Sequence, residues 1–480
     1  MSVSQSDDKA ALVPQKTIPG SYGIPFITPL KDRLDFFSNE YQFFQSRVES
    51  YGSTIVRLNA PPGPFMAKNP QVIAILDGKS FPVLFDTSKV EKKNIFTGTY
   101  MPSTALTGGY RVCAYLDPSE PNHTKIKQLL LNILFNRKDH VIPEFHRAYE
   151  KLFDDMDAEI AKSGKFVFND HNDGAAFEFL GRLFFGVSPS ETELGAGGVK
   201  DANLWLFSQL CPLMTLGFLP KLLEDLLLHT FPLPPFLFKG KYQAIYKYIS
   251  SVATDALTMA ENLGLSREEA AHNLLFAVCF NSLGGVKVLF PGILRYIAQA
   301  GKNLQASLVS EVRSAVSSTG GELTIEALEK MPLTKSVVYE SLRLDPPVKY
   351  QYGVVKKDMV IESHDRSYEV KAGETLFGYQ PFATRDKKIF GPDADNFVAE
   401  RFIGEEGAKV LRFVVWSNGP ETTDPTPVDK QCPGKNLVVL ISRLLVAEFF
   451  LRYDFFDAEI GAVPLAVKTT ITSLTKATTR

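Results

Sequence analysis

From Gln71 onward, apolar residues recur mostly at helical spacing, which predicts helices near 71–76, 122–136, 143–162, 174–184, 201–216, 241–263, 267–298, 302–317 and 323–343. A further apolar run from Leu437 to Leu451, behind Pro433-Gly434, reads as another helix. Strand-like patterning is sparser. Residues 53–58 form a β-branched run ahead of a Pro-Pro-Gly turn, with 65–67 as the expected hairpin partner, and short strands are expected over 350–362 and 367–377. The chain has no internal repeat and no low-complexity tract. These proportions predict a mainly α fold with small β-sheets.

At 480 residues and 45% apolar content the chain can bury a large core, and no linker divides it into the several domains its length would allow. A net charge of −2 without a basic cluster argues against nucleic acid as a partner. The four cysteines, 113, 211, 279 and 432, have no paired short spacing and suggest a reducing compartment rather than a disulfide framework. The longest apolar segment, 274–294, is broken by Asn281, Ser282, Gly284-Gly285, Lys287 and Pro291, so it fits a buried functional helix better than a membrane span. The apolar stretches 213–222 and 232–238 fit either core or a lipid-facing surface, and core is the commoner use. Residues 1–17 carry Asp7 and Asp8, have no long apolar run and no arginine, and read as a disordered tail rather than a signal or transit peptide.

Chemistry concentrates near Lys430-Gln431-Cys432-Pro433-Gly434-Lys435. A cysteine held in a Pro-Gly turn ahead of a helix can present its sulfur at the helix N-terminus, where a thiolate is stabilised and can ligate iron. Taken alone, such a cysteine is more often a small core residue. Upstream, Glu340-Ser-Leu-Arg343 sets an acid and an arginine three apart on one helical face, and Glu400-Arg401-Phe402 offers a third partner.

The order E-x-x-R, E-R-F, cysteine loop, last helix resembles the haem-thiolate cytochrome P-450 superfamily. Its usual cysteine motif has a glycine four residues before the cysteine, whereas here Gly419 lies thirteen before Cys432, an insertion over residues 420–428. With Ile18-Pro-Gly-Ser-Tyr-Gly-Ile-Pro25, Pro61-Pro-Gly-Pro-Phe65, Phe96-Thr-Gly-Thr-Tyr-Met-Pro-Ser-Thr104, Leu116-Asp-Pro-Ser-Glu-Pro121 and Phe377-Gly-Tyr-Gln-Pro381, the chain resembles the plant fatty-acid hydroperoxide-metabolising branch of that superfamily from Ile18 to Lys476. Within that branch it is most similar to the dehydratases that form allene oxides.

The resemblance implies a single cytochrome P-450-like domain over 18–480 with an enlarged cysteine loop, haem b bound through Cys432, and a lyase of oxylipin biosynthesis acting on fatty-acid hydroperoxides of C18 or C20 chains without a reductase. Lys92, His123, Lys127 and Lys430 match the positions that hold the haem propionates, although a lone lysine is more often solvated. Asn281, with Ser282 beside it, matches the substrate-steering position. A buried amide satisfied by a neighbouring carbonyl is the plainer alternative for Asn281. Phe96 matches the position where an aromatic ring accompanies dehydration and leucine accompanies chain cleavage; otherwise it is an ordinary core ring. Gly284 and Gly285 suit either the close approach of a flat cofactor or a helix crossing.

Apart from the resemblance, the longest apolar segment bears on the chemistry of any haem bound beside it. The segment 276–289 contains no Asp, Glu or Thr, so it lacks the acid–hydroxyl pair that delivers protons to bound dioxygen. A substrate already carrying an O–O bond needs no such relay. The alternatives within the branch are a hydroperoxide lyase, a divinyl ether synthase and an epoxyalcohol synthase; outside it, a monooxygenase or a haem carrier. The expected location is cytoplasmic or peripherally attached to plastid membranes, with no cleavable transit peptide.

Overall fold

The most apolar stretch of the chain becomes its central helix. Residues Arg267–Ala300 are helical throughout, running from α-helix Arg267–Leu275 through a π-helical stretch Phe276–Leu283 into α-helix Gly284–Ala300. A helix apolar on all sides must be covered on all sides. Here the cover comes from helices that include Val141–Ser163, Phe168–Phe185, Gly198–Leu210, Lys239–Val252 and Pro332–Leu344, with Lys435–Arg452 in the same core. The central helix alone, among the described residues, is long and apolar enough to cross a membrane, yet most of its apolar stretch is buried inside the protein. The computed structural model describes residues 15–67, 69–464 and 466–477.

Among the described residues, three small sheets flank the helices. The largest has five strands in the order Ile55–Asn59, Gln71–Ile75, Thr375–Tyr379, Tyr350–Val355, Val90–Glu91. A second joins Gln15–Lys16, Ser367–Val370 and Met359–Glu362, and a third joins Tyr453–Val463, Ala466–Lys476 and Phe166–Val167. The mainly α class with small sheets is therefore observed.

Several elements differ from expectation. The predicted helix over 71–76 is strand Gln71–Ile75, paired antiparallel with Ile55–Asn59 from Ile55 opposite Ile75. It displaces 65–67 as the hairpin partner. Val72, Ile73, Ala74 and Ile75 are all fully buried, so the strand is covered on both faces and shows no alternation to distinguish it from a helix. The predicted helix 241–263 is two, Lys239–Val252 and Thr254–Asn262, and 323–343 splits into Ile325–Glu329 and Pro332–Leu344, where Pro332 occupies the first turn. Of the expected tail, residues 1–14 lie outside the described residues, while Gln15 and Lys16 pair parallel with Ser367 and Tyr368. The stretches expected to be core are split: Leu213 and Met214 are buried, but Phe218, Leu222, Phe236 and Leu237 lie on the surface.

Candidate active site

The cysteine loop is built on backbone pairing. Ser417 and Gln431 form an antiparallel bridge, the Trp416 carbonyl accepts the Cys432 N–H at 3.4 Å, and the Lys435 N–H donates to the Cys432 carbonyl at 3.2 Å as the helix Lys435–Arg452 begins. Gly419 is required there, because a Cβ would stand 2.7 Å from the Gln431 side chain. Cys432 is a free, half-buried thiol. Burial pushes it up from its ordinary value, opposed by the Gly434 N–H and Lys127. The helix N-terminus alone therefore does not make it a thiolate; a bound metal cation would.

Behind the loop, Glu340, Arg343 and Arg401 form a closed ionic cluster. Arg343 reaches both oxygens of Glu340, at 2.6 and 2.8 Å, and Arg401 Nε reaches Glu340 Oε1 at 2.9 Å. Arg343 also donates to the carbonyls of Thr384, Ala394 and Asn396, which draws residues 384–396 onto helix Pro332–Leu344. Glu340 and Arg343 are wholly buried, and charges in that setting persist only with every hydrogen-bonding position filled.

The insertion is ordered by two acids that sequence reading left out. Glu421 accepts from the Tyr339 hydroxyl at 2.8 Å and from the Trp416 indole N–H. Asp429 pairs with Lys127 and accepts the Gln431 N–H at 2.9 Å. Asp429 lies beside Lys430, which the sequence did single out, and the place of Glu421 in a Pro-rich insertion was its available signal.

The four expected cations converge. Lys127 reaches the Asp429 carbonyl at 2.6 Å, and Lys430 Nζ donates to the carbonyls of Cys113, Ala114 and Leu116 at 2.9–3.1 Å. Lys92 Nζ turns to the Tyr352 carbonyl, and His123 Nδ1 is buried without a partner. Burial, together with Lys430, holds Lys92 well below its usual range; burial brings Lys430 to about 8, and burial with Lys430 and Lys127 brings His123 down to about 3. Asp429 is the one carboxylate ion-paired with a side chain of this set among the described residues, so burial disfavours the charged forms of Lys92, His123 and Lys430 for want of a contacting counter-charge. Two propionates would supply it.

Phe96 lines a half-open pocket, the Phe96 cavity, with Lys92, Tyr352, Asn418 and Lys430. Its ring meets Tyr115 and Phe280, each at 5.7 Å, and Phe276 at 6.4 Å. Sequence reading missed Tyr115, Phe276 and Phe280; the i,i+4 spacing of the two phenylalanines was the available sign. Asn281 and Ser282 follow Phe280 in the π-helical stretch, a feature frequent at functional positions. Asn281 is exposed and, among the described residues, its side chain has no hydrogen-bond partner, so the buried, satisfied amide is not what the fold contains. One turn on, a Cβ on Gly285 would meet nothing within 4 Å, so open space lies beside the helix there. Asn281, Ser282, His123, Lys127 and Cys432 stand outside the lining of the Phe96 cavity.

Residues 296–479 match the family model described as Cytochrome P450. The chain is 58% identical to Allene oxide synthase 2 of Oryza sativa subsp. japonica over 97% of each chain. The chain belongs to the allene oxide synthase family of cytochromes P450. It is also 56% identical to Allene oxide synthase 1, chloroplastic, of Solanum lycopersicum, over 98% of this chain and 88% of that one, and 54% identical to Allene oxide synthase, chloroplastic, of Arabidopsis thaliana, over 97% and 90%. The name "chloroplastic" on such relatives overturns the expected cytoplasmic or peripherally attached location without a transit peptide. That expectation rested on the charge and hydropathy of seventeen residues, too small a sample to fix an address. The cofactor of this cytochrome family is haem in thiolate ligation, and the buried basic side chains short of paired carboxylates, the free Cys432 and the open face at Gly285 fit it.

Proposed function

We propose that this chain, over a haem-thiolate domain of residues 18–480, dehydrates polyunsaturated fatty-acid hydroperoxides to allene oxides and water in oxylipin biosynthesis, with no dioxygen, NADPH or reductase. The observation that carries the reading is the union of a cysteine loop with a central helix that has no Asp, Glu or Thr over 276–289. Haem b, when bound, would supply a ferric iron able to cleave the substrate O–O bond. Cys432 would hold the iron, and Lys92, His123, Lys127 and Lys430 would balance the propionates. The Asn281 amide, free of protein partners, donates to one hydroperoxide oxygen, with Ser282 alongside. The rings of Phe96, Tyr115, Phe276 and Phe280 hold the reacting carbons away from water. Without an acid–hydroxyl pair no protons are relayed to dioxygen, so the peroxide itself is the oxidant and the net reaction loses only water.

Peripheral contact with a lipid surface is supported by one observation. Phe218, Leu222, Leu226, Phe231 and Phe236 are exposed on 218–236, and Phe231 continues through Phe65 to Phe26 at ring distances of 5.9 and 6.2 Å. A large exposed apolar patch of this kind marks an interaction surface.

The test is an anaerobic assay without reductant on C18 and C20 hydroperoxides, each as the 9- and 13-isomer. Loss of the conjugated diene at the aerobic rate is expected. A strict need for dioxygen or NADPH would move the chain to monooxygenase chemistry.

A further inference from the structure

The insertion over residues 420–428 places Glu421 between the two residues whose backbones hold Cys432, its carboxylate on the Trp416 side and its backbone carbonyl on the Lys435 side. Glu421 accepts the indole N–H of Trp416, whose carbonyl accepts the Cys432 N–H at 3.4 Å. The Glu421 carbonyl accepts Lys435 Nζ at 2.7 Å, and the Lys435 N–H donates to the Cys432 carbonyl at 3.2 Å. The same carboxylate takes the Tyr339 hydroxyl at 2.8 Å, from the helix that carries Glu340 and Arg343, and the Glu421 N–H is itself fixed on the Val414 carbonyl at 2.8 Å. Trp416 is 7% exposed and the Glu421 and Lys435 side chains 9% and 4%, so these bonds are shielded from water. Hydrogen bonds in such surroundings are strong to make and costly to leave open.

We infer that Glu421 is a positioning residue for the axial cysteine, and that the insertion works as an internal clamp fixing the Cys432 backbone from both sides. A neutral or shorter side chain at 421 cannot serve Trp416 and Tyr339 with two anionic oxygens at once. Asp424, the other acid near Lys435, lies 3.3 Å from it but is 78% exposed, and solvent screens such a contact. The clamp is therefore assigned to Glu421 alone. The inference rests on Cys432 as the iron ligand.

The test uses the purified holoprotein with Glu421→Gln, Trp416→Phe, the double variant, and Asp424→Asn as control. Haem loss to an acceptor globin and the reduction potential are measured for each. Partners of a metal ligand typically alter metal affinity tenfold or more, so each single variant is expected to lose haem about tenfold faster and to shift the potential. The double variant should not exceed Glu421→Gln, since Trp416→Phe removes a bond that substitution has already disrupted. Asp424→Asn should match the wild type. Wild-type haem loss and potential in both single variants overturn the clamp, as does a lower melting temperature with an unmoved potential. If Glu421→Gln fails to fold, Trp416→Phe, which removes only the indole N–H side, decides alone. A wild-type holoprotein without a thiolate-type Soret band overturns the ligand reading as well, which separates the two failures.

Discussion

Replacing Phe96 with leucine tests what sets the product. The hydroperoxide either loses water overall, forming allene oxide with positive charge developing on the carbon beside the new epoxide, or isomerises without loss of atoms to a hemiacetal that breaks into aldehydes. A ring face beside that carbon favours developing positive charge by about 1 kcal/mol when desolvated, which changes branching about fivefold. Leucine keeps bulk but has no quadrupole. The structural cost is bounded by the ring contacts Phe96 makes with Tyr115, Phe276 and Phe280, each worth about 0.5–1.5 kcal/mol beyond the area it buries. Leucine retains the apolar contact, so the loss is bounded by about 1.5–4.5 kcal/mol over the three rings, against a typical stability of about 5–15 kcal/mol. The variant should thus fold and bind haem. Products from one hydroperoxide are trapped and quantified for both proteins. An aldehyde fraction at least severalfold above the wild type is expected; an unchanged fraction in a folded, active variant would reduce Phe96 to packing.

Two further outcomes follow from the packing. Glu340→Gln leaves Arg343 and Arg401 buried without their shared anion, which costs about 3–5 kcal/mol, so urea unfolding should shift to markedly lower concentration, and an unshifted midpoint would refute the bracing role. Serine at Phe218, Leu222 and Phe236 together should lower co-sedimentation with anionic lipid vesicles while leaving turnover of dispersed substrate intact; equal sedimentation would remove the lipid contact.

The cysteine loop and the Glu340–Arg343–Arg401 cluster were legible because their chemistry needs fixed residue types at fixed spacing. Helices Ile27–Ser38 and Glu40–Tyr51 were not. The first buries Asp32 and Arg33 beside Phe36 while Ile27 faces solvent, so its stripe runs opposite to the usual rule. Arg33 is drawn inward by Asp225 at 2.7 Å and by the carbonyls of Pro62 and His229, each at 2.9 Å, partners far away in sequence. The terminal hairpin Tyr453–Val463 with Ala466–Lys476 buries few side chains along most of its length, so neither strand displays a clean alternation. At the site, the cations were found one by one, but their mutual repulsion and their want of counter-charge became visible only once the helix Pro121–Asn136, the Lys92 segment and the insertion were packed together.

The central claim is that Cys432 is the proximal iron ligand of a haem-thiolate dehydratase. The most direct measurement is the absorption spectrum and hydroperoxide turnover of Cys432→Ser beside the wild type. Loss of the thiolate-type Soret band together with activity is predicted, since no other cysteine lies in this loop. A normal thiolate band with full turnover in the serine variant would contradict the account.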